Sequence, residues 1–410
     1  MLYTEEDVAD YLRENDVKFV CLSFCDALGV QKNISIMTSE LHRAFTTGIS
    51  FDASAIRGFC EIDESDLFLV PDPATMALLP WRPSHGRVVR FFCNICYPDS
   101  RPFELDSRLI LQQAVNRARK MGIRSSFGAE CEFYLFGLDE NGNSTGTPAD
   151  QAGYMDTSPY DRGENVRREI CLTLEEMGLQ PESSHHEEGP GQNEIDFKYS
   201  NAVTSADHVM TFKSVVETVA SRNGYHASFR PKPILNAAGN GFHINMSARH
   251  LGEEAPDPKL KQAFMAGIMK YVREITIFLN PSRESYLRLG SFKAPGYVTW
   301  SNQNRSQLIR IPAGTGEYDR IELRSADCLS NPYLAYAILL HAGLDGIEQD
   351  LLPPPPTDRN LYQASAEEVR GIPQLPGSLE EAVELMETSE FVRRILPERV
   401  RQAYRDAEHL

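Results

Sequence analysis

Residues 127–136 read FGAECEFYLF. A strand turns successive side chains to opposite faces, so Phe127, Ala129, Cys131, Phe133 and Leu135 share an apolar face and Glu130, Glu132 and Tyr134 share the other. Two carboxylates then stand about 7 Å apart on one side of a strand. A strand showing its polar face to water would carry the same pattern, and the segments around it decide between the two readings. In HHEEGPGQNEIDFKY (185–199), Glu187 precedes a Gly-Pro-Gly turn and Glu194 follows it, so a chain reversal can return both carboxylates to one place. HINMS (243–247) sets His243, Asn245 and Ser247 on one face. RIELRS (320–325) does the same with Arg320, Glu322 and Arg324, and NRSQLIRIP (304–312) adds Arg305 and Arg310.

Carboxylates on separate strands, interleaved with arginines, lose stability through like-charge repulsion unless ions are bound between them. Hard oxygen ligands with one imidazole suit Mg²⁺ or Mn²⁺ rather than structural zinc. Guanidinium groups suit a phosphate or a carboxylate. Together they describe metal-assisted phosphoryl transfer. No G-x-x-x-x-G-K-[ST] loop occurs and AGTGEY (313–318) offers only a lone glycine pair, so the nucleotide is held by some means other than a P-loop. An ATP-using ligase fits this combination.

Outward from these strands, the chain reads as an α+β protein. Thr4 caps a helix to residue 15, KFVCLSFCDALG is a strand entering a turn, and short strand-like runs continue to RVVRFFCNICY. The polar, proline-bearing YPDSRPFELD (97–106) is the boundary candidate, dividing residues 1–100 from 101–410, and a helical period starts at Ser107. The second unit alternates helices (ENVRREICLTLEEMG, TFKSVVETVASRNG) with charged strands around an antiparallel sheet. Pro353–Pro356 make a stiff surface crossing.

With 41 basic against 58 acidic residues in 410, the net charge of −17 repels nucleic-acid phosphates and anionic lipid, so neither is expected as a partner. No run approaches the length of a membrane span, and MLYTEEDVAD is acidic where a secretory leader would be basic and then apolar, which reads as cytoplasmic. The cysteines, such as Cys21, Cys25, Cys131 and Cys171, lie in apolar runs and read as reduced core residues. Cys93 and Cys96 form a C-x-x-C inside a strand-like run with no second pair, which speaks against metal.

Over nearly its whole length the chain resembles glutamine synthetase. The resemblance runs through FDASAI…ESD (51–66), GAECEF (128–133), MGLQPESSHHEEGPGQNEIDFKY (177–199), KPILNAAGNGFHINMS (232–247), NRSQLIRIP and RIELRSADCLSNPYLAYAILLHAGLDGI (320–347), with the bacterial class I type closest in look. It implies a small β-grasp-like domain before a catalytic domain whose sheet forms a funnel, with neighbouring subunits completing each site in a hexameric ring or stacked dodecamer. It implies two Mg²⁺ or Mn²⁺ ions per site, one held by Glu132, Glu187 and Glu194 and the other by Glu130, His243 and Glu322. ATP would be lined by Glu182, Tyr199, Asn245 and Ser247, with Arg310 and Arg320 on its phosphates. Gly239, Arg288, Arg305 and Arg324 would face the acid substrate and its acyl phosphate. Asp52 would reach from an adjacent subunit to bind ammonium and take its proton. The implied chemistry is ATP-dependent formation of glutamine from glutamate and ammonia through γ-glutamyl phosphate.

Departures from the pattern cluster at the acid and amine end. LGSFKAP (289–295) has Lys293 where the family flap carries a glutamate, AAGNGFH has Ala238 where an asparagine is usual, and FDASAI has Ala55 where a second serine is usual. Lys293 and Ala238 motivate an alternative, a γ-glutamyl ligase using an organic amine. A non-catalytic structural or regulatory member is disfavoured because every metal position is kept. Tyr362, in RNLY, reads as unmodified. The final RQAYRDAEHL (401–410) leads to the expectation that rings form but stack weakly.

Overall fold

The structure is a computed structural model and describes residues 4–407. Two sheets organise it. In the first, β1 (Val17–Cys25), β2 (Gln31–Met37), β3 (Ile49–Asp52), β4 (Asp66–Pro71), β5 (Ala77–Leu78) and β6 (Arg87–Cys96) run in the order β2-β1-β6-β4-β3, with β5 beside β6. The first helix, Glu5–Glu14, starts where predicted, because the Thr4 hydroxyl accepts the Asp7 amide while the Asp7 carboxylate accepts the Thr4 amide. Cys93 and Cys96 lie in β6, the first buried and the second half-buried, and every cysteine is free; Cys171, expected in the core, is only half-buried.

The second sheet has nine strands: β7 (Ile123–Leu138), β8 (Ser144–Pro148), β9 (Pro181–His186), β10 (Gln192–Asn201), β11 (Tyr225–Ser228), β12 (Phe242–His250), β13 (Trp300–Asn302), β14 (Ile309–Ile311) and β15 (Ile321–Leu323). Its main path is β13-β14-β15-β12-β7-β10-β9, antiparallel except for the β13–β14 edge pair, which is parallel. The alternation in 127–136 holds on the apolar side. Phe127 stacks on Tyr336 at 4.5 Å, so that face of β7 lies against the helix Pro332–Glu348, buried over most of its length. That helix crosses Pro258–Leu279 at a glycine contact: a Cβ on Gly267 would come within 2.1 Å of the Ala342 carbonyl oxygen.

Two expectations shift. The helix read from TFKSVVETVASRNG begins at Ala202, capped by the Asn201 side chain on the Thr204 amide, because the residues before Thr211 are also apolar on the buried side. In RIELRS only Ile321–Leu323 pair as strand, which leaves Arg320 and Arg324 at its ends. Pro353–Pro356 cross without regular structure, held by the Trp300 indole donating to the Pro354 carbonyl at 2.6 Å.

Candidate active site

Cross-strand register, more than spacing along the chain, assembles the polar face of the large sheet. Glu132 lies directly opposite Glu194 on β10, which in turn lies opposite His185 on β9. One pleat away, Glu130 sits between His243 on β12 and Asp196 on β10. On the far side, Asn245 faces Glu322 and Glu322 faces Arg310. Opposed residues on one face come within about 5.5 Å at Cβ, so acids from β7, β10 and β15 converge beside His243, with His185 next to Glu194.

Ligand atoms of Glu130, His243 and Glu322 lie within 4.8 Å of one another, the set expected for one ion. The other expected trio is joined less directly: Glu132 and Glu194 group with His243, while Glu187 meets Glu194 beside His185. Each acid is oriented by neighbours. Glu132 accepts the Gly241 amide at 2.7 Å and the Gln192 amide group at 3.2 Å, leaving its other oxygen toward the cavity 3.9 Å from His243 Nε2. Glu130 accepts from Asn245 at 2.8 Å and pairs with His243 Nδ1 at 3.3 Å. Glu322 is fully buried between the guanidinium groups of Arg310 and Arg324. The Gly-Pro-Gly reversal works as expected, with the Gln192 amide donating to Gly189 at 2.9 Å and the Glu187 amide donating to Gln192 at 2.8 Å. A Cβ at Gly189 would stand 1.9 Å from the Tyr134 hydroxyl, so the turn packs onto β7 only as glycine.

The electrostatics record the crowding. Burial, then the Glu132 charge, pushes Glu187 up to about 8. Burial, then Glu130, pushes Asp196 to about 7, and burial with Asp196 and Glu132 holds Glu194 well above the usual carboxylate range. Burial also raises Glu130, but the His243 and Asn245 hydrogen bonds and the imidazole charge outweigh it and hold it at about 2. Asp196 Oδ1 is buried with no hydrogen-bond partner among the described residues. An unpartnered carboxylate oxygen amid raised acids, beside the imidazoles of His243 and His185, makes a donor set that suits a divalent cation.

Two recesses meet over this cluster and share Glu130, Asp196 and Arg320. One is lined by Glu182, Tyr199, Asn245, Ser247 and Arg320, the side chains expected around a nucleotide. The other, about 490 Å³, takes in Glu132, Glu187, Glu194, His243, Gly239, Arg288, Arg305, Arg310 and Arg324, large enough for an acid substrate beside ions. Asp52 is not brought to either: it ends β3 in the small sheet, exposed, and its carboxylate accepts the Ser54 amide at 2.9 Å and hydroxyl at 2.6 Å, which hold it below the usual range.

Sequence reasoning passed over Asp196, His185 and Gln192. Asp196 was legible in principle, two residues after Glu194 and so on the same strand face. Tyr134 shares that face by alternation yet is fully buried, donating to the Ala238 carbonyl at 2.6 Å. Lys293 pairs with Glu188 and lies 5.5 Å above the Tyr154 ring, on a flap whose backbone is left-handed at Phe292 and Lys293.

Residues 104–409 match the family description "Glutamine synthetase, catalytic domain" and residues 16–98 match "Glutamine synthetase, beta-Grasp domain". The glutamine synthetase of Methanosarcina mazei is 45% identical, over 99% of this chain and 94% of its own length; that of Clostridium saccharobutylicum is 44% identical, over 97% and 92%. Among solved structures, a GmaS complex with ADP superimposes with a TM-score of 0.89 at 30% identity over 98% of this chain and 95% of that one. Plasmodium falciparum glutamine synthetase, solved by cryoEM, shares the fold with a TM-score of 0.85 at 24% identity, over 98% and 94%. No described helix is long and apolar enough to cross a membrane. With both domains matched and relatives at this identity along almost the whole length, the chain belongs to the glutamine synthetase family and is a carbon–nitrogen ligase.

Proposed function

We propose that this enzyme makes glutamine from glutamate and ammonia at the expense of ATP, through a γ-glutamyl phosphate. The observation that carries the reading is the meeting of the two recesses at Glu130, Asp196 and Arg320. A nucleotide seated along Tyr199, Asn245 and Ser247 points its phosphates at the acids, and a carboxylate held by Arg288, Arg305 and Arg324 approaches from the other side. ADP bound to the related GmaS structure supports a nucleotide in this fold. Two divalent ions, one on Glu130, His243 and Glu322 and one on Glu132, Glu187 and Glu194, would neutralise phosphate charge. Glu130 and Glu132, oriented by Asn245 and by the Gly241 amide, present their remaining lone pairs to the cavity. Arg310 and Arg324, which flank Glu322, would take up charge on the transferred phosphoryl group. Asp52 serves the amine site of an adjacent subunit in a hexameric ring or stacked dodecamer, taking the proton from ammonium. The small domain ends near residue 100 on this reading, and the enzyme works in the cytoplasm.

A second reading, ligation of an organic amine, is favoured by Ala238 and Lys293 at the acid and amine end. Phosphate release from Mg-ATP and glutamate, with ammonia or each of a panel of primary amines added in turn, separates the two. Release with ammonia below that with an alkylamine, at equal free-base concentration, would put amine ligation ahead of glutamine formation.

A further inference from the structure

Arg90, on β6, is 6% exposed, and its side chain makes no hydrogen bond or ion pair with any described residue. Its Nε is buried without a partner, and its guanidinium carbon rests 3.9 Å above the Phe92 ring. It borders a recess of about 590 Å³ between the small sheet and the helices Ser107–Lys120 and Ala202–Arg222, which shares no lining residue with the recesses over the acidic cluster.

Both carboxylates that border this recess are already engaged. Asp207 accepts Arg108 Nε and Nη2, each at 3.1 Å, and the Tyr333 hydroxyl at 2.6 Å. Asp72 accepts Arg108 Nη2 at 2.7 Å and the Ala74 amide at 3.1 Å. Arg119 lines the rim and makes no ion pair with a described residue. Burial holds His208 below the usual imidazole range, so it adds no positive charge near neutrality. The recess therefore has three guanidinium groups against two carboxylates; both carboxylates are hydrogen-bonded to Arg108, and Asp207 acts on Arg90 only through its charge, without a hydrogen bond or ion pair. A buried unpaired cation is costly unless a counter-charge meets it, and a planar fork selects an oxyanion that can accept two parallel hydrogen bonds.

We propose that this recess is a second ligand site, which binds a small anion through a phosphate or carboxylate head on Arg90, with Arg119 closing from the rim. It lies where the small sheet meets helices of the catalytic domain, so the bound anion ties the two together.

Equilibrium dialysis of the full chain, free of metal and nucleotide, tests this with labelled inorganic phosphate in one arm and labelled malonate in the other. Saturable binding in either arm is expected, and the arm that saturates identifies the head group. Arg90→Gln should weaken it about tenfold or more, Arg90→Lys less, and Arg119→Gln by a few-fold, as loss of charge-assisted hydrogen bonds implies. Arg324→Gln, in the other recess, should weaken only anion binding that belongs to that recess and leave the Arg90-dependent class of binding intact. Absence of saturable binding up to tens of millimolar, or equal binding by the wild type and Arg90→Lys, would overturn the proposal. So would a loss confined to Arg324→Gln, or a fall in molecular mass by light scattering on Arg90→Gln without any anion binding, which would mean that a neighbouring subunit supplies the counter-charge. Circular dichroism checks folding, and Arg90→Lys with Arg119→Gln carry the test if Arg90→Gln does not fold.

Discussion

Lys293 pairs with Glu188, the residue next to Glu187 in the acidic turn. The cation that stands where the family pattern expects an anion is thus met by a carboxylate from the facing loop. Lys293→Glu would set a new carboxylate against Glu188 and lower kcat/KM, whereas the swap Lys293→Glu with Glu188→Lys should recover part of the loss. Both groups are partly exposed, so a double-mutant cycle should return a coupling of about 0.5 kcal/mol. A single variant with improved ammonium affinity and no coupling to Glu188 would place the lysine at the amine instead.

Glu130 and Glu322 are the acids that most tightly define the proposed ion on His243. Glu130→Gln and Glu322→Gln keep shape while removing charge, and each should cut turnover by a factor on the order of 100 or more. Near-UV circular dichroism should be unchanged. A variant retaining wild-type rate would remove that residue from the ion's ligands.

Glu187 at about 8 and Asp196 at about 7 hold protons near neutrality when no ion is bound, and Glu194 is raised with them. Raised carboxyls favour the folded state below their ordinary values, and that stabilisation is lost as pH rises through about 7 to 8. The metal-free protein should therefore melt at lower temperature at pH 9 than at pH 6, by more than the Mg²⁺- or Mn²⁺-loaded protein does. Ion binding at pH 7 should release protons, measurable by calorimetry in buffers of different ionisation enthalpy. Binding with no proton release, and affinity flat from pH 6 to 9, would contradict the shared-ligand arrangement.

Asp52 lies outside both recesses of its own chain. If it acts in a neighbour's site, inactive Asp52→Ala and inactive Glu322→Gln subunits mixed under conditions of proven exchange should regain part of the activity. Mixed assemblies that stay inactive would confine Asp52 to another role.

The alternation in 127–136 determined, by itself, that Glu130 and Glu132 share a face opposite a core-facing row, because a period of two is a local property of an extended chain. The Gly-Pro-Gly reversal between Glu187 and Glu194 was legible for the same reason, since turn chemistry acts over a few residues. Which acids meet was decided only by tertiary structure. Opposition of Glu132 to Glu194 and of Glu130 to Asp196 depends on the register between β7 and β10, which start more than sixty residues apart; a slip of two residues would keep the same faces inward and outward and yet pair different acids. The same holds for charge. Lys293 reads as an unmatched cation along the chain and is matched by Glu188 only in the fold, whereas Arg90 reads as an ordinary strand residue and becomes an unpaired buried cation once Asp207 and Asp72 have closed on Arg108. A side chain's charge is written in its identity, but its counter-charge comes from whatever distant element packs against it.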